Sequence, residues 1–479
     1  MVKVKCQASN ILGKSLELSS CIRHKNCPRL SPEDQINREL PPEDLISQLP
    51  EDILIFILSF LTFKEAVRTC VLSSQWMTLW TRSSRLDFDA TNTLGKIHID
   101  DRKGLRRERR KYVGWVNRVL QTHKCSTLDE FRVCFDLDKH YQDEIDGWLE
   151  YAFARSVKRL EISLPINGVL LGVRGPSNSY DFPHRLLNLG YGIHHNIPFD
   201  FKSLKDLYLK CVDVTGESIE WLLSRCPFLE RLSVHCSRKL GKLVVSGPHL
   251  VLKYLEIKHC LKVESIKICN PNLVSLSISY PIEELVVTES PRLAEVDISW
   301  GYLNFPLYVF SQLSCSLSQL EVLMLRTHLP KNIAMLKCCP ELSKLKELFI
   351  RVGAPDDGSL IELTSFLSSC PNLQKFALEL YWLKPLNTNG DVEKATKCSL
   401  KHLKVIELSG YYGCSSEVEI IMFFLENAIA LEKIIVDPLK PQNQLNLVDE
   451  ELAARVQVEV EQQLKDLVPA HIELVILQS

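Results

Sequence analysis

The chain has 479 residues, 46% apolar and 24% charged, with a formal net charge of -2. That is material for a large core, and it excludes both a disordered solvating chain and a protein drawn to nucleic acid by global charge, so any such contact needs a local basic patch. Seventeen cysteines, odd in number and scattered, fit a reducing compartment better than a disulfide scaffold.

Residues 1–20 hold no apolar core of the kind a secretory leader needs. The longest apolar stretch, Ile53 to Leu61 broken by Ser59, falls far short of the roughly 20 residues that span a bilayer. The expectation is therefore a protein of the cytoplasm, the nucleus or both, with no membrane partner. Residues 1–40 show no sustained period and read as a flexible extension. Within them Cys21, His24 and Cys27 are spaced like metal ligands, but a closed structural site needs a fourth, so no metal is expected.

From Pro41 the pattern changes, as Pro41, Pro42, Glu43 and Asp44 lead into Leu49 and Pro50, a helix-start signature. Apolar residues then recur mainly at three- and four-residue spacing through Ile53, Leu54, Ile57, Leu58, Leu61, Val67, Val71, Leu72, Trp76, Leu79 and Trp80. Three short helices over residues 41–90 fit this, and they carry more apolar surface than they can bury among themselves, which predicts a partner. Residues 91–127 form a linker and a capping helix. A basic run (Arg102, Lys103, Arg106, Arg107, Arg109, Arg110, Lys111) precedes Tyr112, Trp115, Val116, Val119 and Leu120 on one helix face. The run reads first as a solvated helix start or loop, then as an import signal, and last as a nucleic-acid contact.

Over residues 128–397 one motif recurs: apolar, two residues, apolar, one residue, apolar. It runs from Leu128, Phe131 and Val133 through Leu204, Leu207 and Leu209 to Leu373, Phe376 and Leu378, and continues past that range to Leu431, Ile434 and Val436. Twelve such triplets, mostly spaced in the twenties, are a leucine-rich-repeat signature. Alternate residues of each short strand point inward, and no single repeat can bury that face, so neighbours stack into a curved solenoid with a parallel sheet on the concave side. Extra triplets at Val263, Ile266, Ile268 and at Ile282, Leu285, Val287 predict strand returns there. Helical returns are expected at Ile219 to Cys226, Leu360 to Cys370 and Glu419 to Ala428. The stretch from Leu164 to Pro198 reads as an inserted loop, and its pair His194 and His195 as a surface pair. Residues 398–479 end the array with a helix and a last strand.

Leu49-Pro50-Glu51-Asp52-Ile53-Leu54, Ile57-Leu58-Ser59-Phe60-Leu61, Ala66-Val67-Arg68-Thr69, Val71-Leu72-Ser73 and Trp76 to Trp80 closely resemble the F-box of plant F-box/leucine-rich-repeat proteins. Cys398 to Pro438, with Leu425-Glu426-Asn427-Ala428 before Leu431, looks like the FBD region that often follows such repeats. The resemblance implies an α/β protein, a three-helix F-box followed by the repeat solenoid. It implies a substrate-recognition subunit of an SCF-type ubiquitin ligase, with no cofactor and no catalysis of its own. The F-box would bind a Skp-type adaptor, and through it a cullin, by Leu49, Pro50, Ile53, Leu54, Ile57, Leu58, Leu61, Val71, Leu72, Trp76, Leu79 and Trp80. Ser74, Gln75 and Met77 depart from the basic residues usual beside the tryptophan, which weakens rim charge and leaves the apolar anchors intact.

The inward positions are core by default, so the target is read by the residues between them. Tyr208, His235, Glu256, Lys258, Arg326, Phe349 and Arg351 are the candidates, and their mixed charge with aromatics suits a protein target better than a phosphate backbone. The chain shows no phosphate-binding loop, nucleophile elbow or metal-ligand helix. The alternatives are a repeat-based scaffold, nuclear in one version, that joins no ligase, and more distantly an enzyme using one of the cysteines.

Overall fold

Each of the twelve apolar triplets becomes one rung of a parallel sheet in the computed structural model of the protein. It describes residues 46, 48–61, 63–72, 76–97, 101–166, 178–183, 201–247, 249–279, 282–299, 310–327, 340–354, 360, 363–382, 399–438 and 450–477. The expectations for residues 1–40, for Ser74 and Gln75, for His194 and His195 and for most of the inserted loop lie outside the described residues. Two compact units divide the chain, Met1–Leu54 and Ile55–Ser479.

The larger sheet comprises β1 (Arg85–Asp89), β2 (Glu130–Cys134), β3 (Arg159–Ser163), β5 (Asp206–Lys210), β7 (Arg231–His235), β9 (Tyr254–Lys258), β11 (Ser275–Ser279), β13 (Glu295–Ser299), β14 (Val322–Thr327), β15 (Glu347–Ala354), β16 (Lys375–Trp382), β17 (Val405–Ser409), β18 (Lys433–Asp437) and β19 (Glu473–Ile476). They lie side by side in that order, all parallel. The sheet thus begins at β1, upstream of the first triplet. In every rung except the last, β19, the second and fourth residues are buried: Leu207 and Leu209 in β5, Leu276 and Ile278 in β11, Ile406 and Leu408 in β17. The leading residue of each triplet, such as Leu204, Leu273 or Leu403, is buried in the turn entering the strand. Fully burying such a side chain is worth about 1.5–3 kcal/mol, and the stack gains this at every rung because each shields its neighbour.

A second parallel sheet of three strands, β12 (Glu284–Thr288), β10 (Ser265–Cys269) and β8 (Lys242–Ser246), forms the return side of the middle repeats. β10 and β12 are the expected strand returns. β8 is a third, built on Leu240, Leu243 and Val245, the same triplet unrecognised in the sequence. Two short strands, β4 (Tyr180–Asp181) and β6 (Val212–Asp213), pair separately.

The helices are α1 (Glu51–Leu58), α2 (Phe63–Arg68), α3 (Trp76–Leu79), α4 (Thr91–Leu94), α5 (Arg102–Thr122), α6 (Gln142–Phe153), α7 (Gly216–Arg225), α8 (Leu363–Leu367), α9 (Ser415–Asn427) and α10 (Glu450–Leu467). α7, α8 and α9 are the expected helical returns, each displaced by a few residues. Gly216 opens α7 beneath β8, where a Cβ would sit 1.7 Å from the Lys242 carbonyl oxygen, so no other residue fits. α9 is held at its start by Glu417, whose carboxylate accepts from the backbone N–H groups of Tyr412, Gly413 and Cys414 at 2.7–3.0 Å. β5, β7 and β9 are each followed by a non-glycine residue with left-handed backbone, Cys211, Cys236 and His259, at φ of 56–58°. α10 buries Val460 and Leu464 and is followed by β19, which pairs with β18. No helix among the described residues is long and apolar enough to cross a membrane.

Candidate functional site

Two surfaces carry the residues singled out by the sequence. The first belongs to the helical head. Within the first unit, Leu49, Pro50 and Ile53 are exposed and Leu54 is buried. Within the second, Leu58, Phe63, Ala66, Trp76 and Leu79 are buried, Ile57 is half-buried, and Trp80 packs edge-on to Phe63 at 6.0 Å. Leu61, Val71 and Leu72 remain in solvent, the last two at 79% and 62%. The expected adaptor residues therefore separate into those spent on the chain's own core (Leu54, Leu58, Trp76, Leu79) and those left outside. Phe56 and Phe60 join the exposed set at 60% and 74%, their rings edge-on at 4.9 Å. Neither was among the residues expected to meet the adaptor. They share an i,i+4 spacing that sets both on the opposite side of the helix from the buried Leu58. Large apolar side chains this exposed are unusual on a protein surface that meets only water.

The second surface is the outward face of the larger sheet. Since β-strand side chains alternate, the third and fifth residues of each rung stand in two rows across it. Register places Tyr208, Ser233, Glu256, Ser277, Asp297, Met324 and Phe349 in one row, and Lys210, His235, Lys258, Ser279, Ser299, Arg326 and Arg351 in the other. All seven candidate target-binding residues lie in these rows, and six of them join one polar chain. Tyr208 Oη lies 3.2 Å from His235 Nδ1, and His235 Nε2 lies 3.0 Å from the Glu256 carboxylate. Glu256 pairs with Lys258, which reaches Asp297 at 3.6 Å. Arg326 binds Asp297 at 2.5 Å and stands 5.8 Å from the centre of the Phe349 ring. Arg351, beside Arg326 in register, pairs instead with the buried Glu379 at 2.7 Å. Asp297 and Glu379 were not among the candidates drawn from the sequence, although the repeat position of each is legible once the rungs are aligned.

Electrostatics on this face follow from half-burial. Burial pushes the Glu256 carboxyl up, but hydrogen bonds from His235 and Lys258 more than offset this and hold it at about 2. His259 is driven down by burial and by the nearby His235, Lys258, Lys210 and Arg326. At the other end of the sheet, Arg132 draws in Asp89 and Glu161 at 3.0 Å and Asp87 at 3.4 Å, yet burial still leaves the Glu161 carboxyl above its ordinary value.

Burial pushes Cys134 up to about 11 and Cys226 and Cys260 to about 12, which makes them poor nucleophiles. Cys236 is lowered, by a hydrogen bond from Cys211, but it is buried. No group of three or more metal-ligating side chains occurs among the described residues.

Residues 46–88 match the F-box domain, and residues 119–463 match the family described as At1g61320/AtMIF1, LRR domain. Among relatives, the F-box/FBD/LRR-repeat protein At5g53840 of Arabidopsis thaliana is 26% identical over 406 residues, covering 82% of this chain and 87% of the relative. The putative FBD-associated F-box protein At1g05080 of the same plant is 28% identical over 456 residues, covering 86% and 94%. A third, the Arabidopsis F-box/FBD/LRR-repeat protein At2g04230, is 28% identical over 415 residues, covering 82% and 88%.

Proposed function

Because this chain belongs to the leucine-rich-repeat family of the At1g61320/AtMIF1 type and carries an F-box at its head, we propose that it is the substrate-recognition subunit of an SCF-type ubiquitin ligase. The observation that carries this is the head itself. Val71, Leu72, Phe56 and Phe60 spend little of their apolar surface on the chain's own core, which is what a surface awaiting a permanent partner requires. The partner is a Skp-type adaptor, and through it a cullin.

The outward sheet face is the target surface. Its residues are held by one another in half-buried ion pairs, so their positions are set before a target arrives and little side-chain entropy is lost on binding. The chain does no chemistry of its own. It ties a target to the rest of the ligase, which raises the effective concentration of a target lysine at the activated ubiquitin. Cytoplasm or nucleus is the compartment this role requires.

Immobilised Skp-type adaptor should retain the wild-type chain and lose Phe60→Ala/Val71→Ala/Leu72→Ala. Each lost anchor is worth about 1–3 kcal/mol, so three together remove binding at micromolar protein. A wild-type chain that does not bind refutes the ligase reading and leaves the scaffold. A variant that binds as well as wild type refutes this assignment of the surface.

A further inference from the structure

α5 carries eight lysines and arginines against one acidic residue, Glu108, in a chain whose overall charge is -2. Seven of the cations crowd its first ten residues, and its first turn holds no carboxylate. This is the end of a helix where the backbone dipole disfavours positive charge. The cations also repeat at i,i+4, as Arg102, Arg106, Arg110 and as Lys103, Arg107, Lys111, and like charges at that spacing oppose the helix. The helix forms all the same because it is held from elsewhere. The Asp101 side chain caps it by accepting from the Gly104 N–H at 2.8 Å. Tyr112 donates to the Phe88 carbonyl oxygen at 2.6 Å, and Arg109 turns inward onto Asp136 and Asp138. The array of cations is thus rigid and displayed at the fold's expense.

We propose that the exposed face of the first half of α5 is a binding surface for the phosphate backbone of duplex nucleic acid, read by charge and not by sequence. Lys111 and Arg107 share Glu108, whereas Arg102, Lys103, Arg106 and Arg110 have no carboxylate partner among the described residues. The paired cations climb the helix in steps of about 6 Å, four residues at 1.5 Å each, as a regular polyanion requires. Tyr112 and Val113 are buried and Trp115 packs onto the core, so this face offers neither an aromatic platform for stacked bases nor an apolar anchor. Lack of an anchor argues against an acidic protein surface, since protein interfaces draw most of their affinity from buried anchors. What remains is charge alone, the mode in which proteins grip nucleic-acid backbones. The helical form of the run also differs from a loosely solvated loop, because its charges are fixed before binding.

The test is fluorescence anisotropy of a labelled DNA duplex of about 20 base pairs and arbitrary sequence, titrated with the full chain between roughly 50 and 200 mM salt. Wild type should bind with a steep salt dependence. Arg102→Gln/Lys103→Gln/Arg106→Gln/Arg110→Gln, helical by circular dichroism, should bind at least about tenfold more weakly, with the log–log salt slope reduced by about 3. Lys262→Gln/Lys401→Gln, which removes two exposed lysines elsewhere, should leave both unchanged. Absence of saturable binding by wild type at the lowest salt, or an unchanged affinity in the fourfold variant, overturns the proposal. Tighter binding of a labelled polyglutamate peptide than of the duplex also overturns it and points to an acidic protein.

Discussion

Arg109 makes three contacts at once: its Nε donates to the Asp136 carbonyl oxygen at 2.8 Å, and its two terminal nitrogens take the carboxylates of Asp136 and Asp138. Asp136 is wholly buried. Removing one partner of a buried pair strands the other, so Asp136→Ala should lower stability by about 3–5 kcal/mol in urea titration. A loss below about 1 kcal/mol would mean that solvent reaches the guanidinium. Glu256 makes a different kind of claim. Its folded value, about 2, lies below the ordinary 4.5, so the native state binds this proton more weakly than the unfolded chain does. The stabilisation is complete above about pH 4.5 and disappears as pH falls toward 2. The urea midpoint of wild type should therefore drop between pH 5 and pH 3 by more than that of Glu256→Gln, and equal drops would remove Glu256 from the account. The residues that answer these tests are only partly legible in the sequence. Glu256, His235 and Lys258 stand out as odd positions in a repeat, but Asp297 and Glu379 acquire their partners through register across rungs, a long-range property that no local window contains.

Each rung built on one of the twelve triplets has the same division of labour, two buried residues in the strand and one in the turn before it. Leu276→Ala, in the middle of the sheet and fully buried, removes a side chain packed on both sides by like rungs and should cost about 2–5 kcal/mol. A thermal shift near zero would show that neighbouring rungs collapse into the space. The twelve triplets are readable because strand periodicity is local and survives without knowledge of the fold. β8 escapes because its triplet lies only a few residues after β7, where a strand return and a loop share the same composition. Phe56 and Phe60 escape for a related reason. On a short helix rich in apolar residues, the pattern alone does not say which face is inward, and the exposed aromatics look like core.

At the scale of the molecule, contacts run between neighbouring rungs, so stability is a sum of local terms and need not be uniform. β19 has β18 on one side only in the described sheet, and none of its four residues is fully buried, whereas Leu276 and Ile278 of β11 are enclosed by β9 and β13. Hydrogen exchange should be faster at residues 473–476 than at residues 275–279, and the reverse order would show that α10 seals the last rung more firmly than the sheet itself.

The bare aromatic and aliphatic side chains at positions 56, 60, 71 and 72 have a consequence for the life of the polypeptide outside its assembly. A newly made copy with no companion presents to the cell the same feature by which quality-control chaperones recognise misfolded chains, although its repeats are sound. On the proposed assembly with an adaptor, its abundance is governed by how quickly that adaptor covers the surface, and supply of the adaptor becomes a ceiling on how many copies persist.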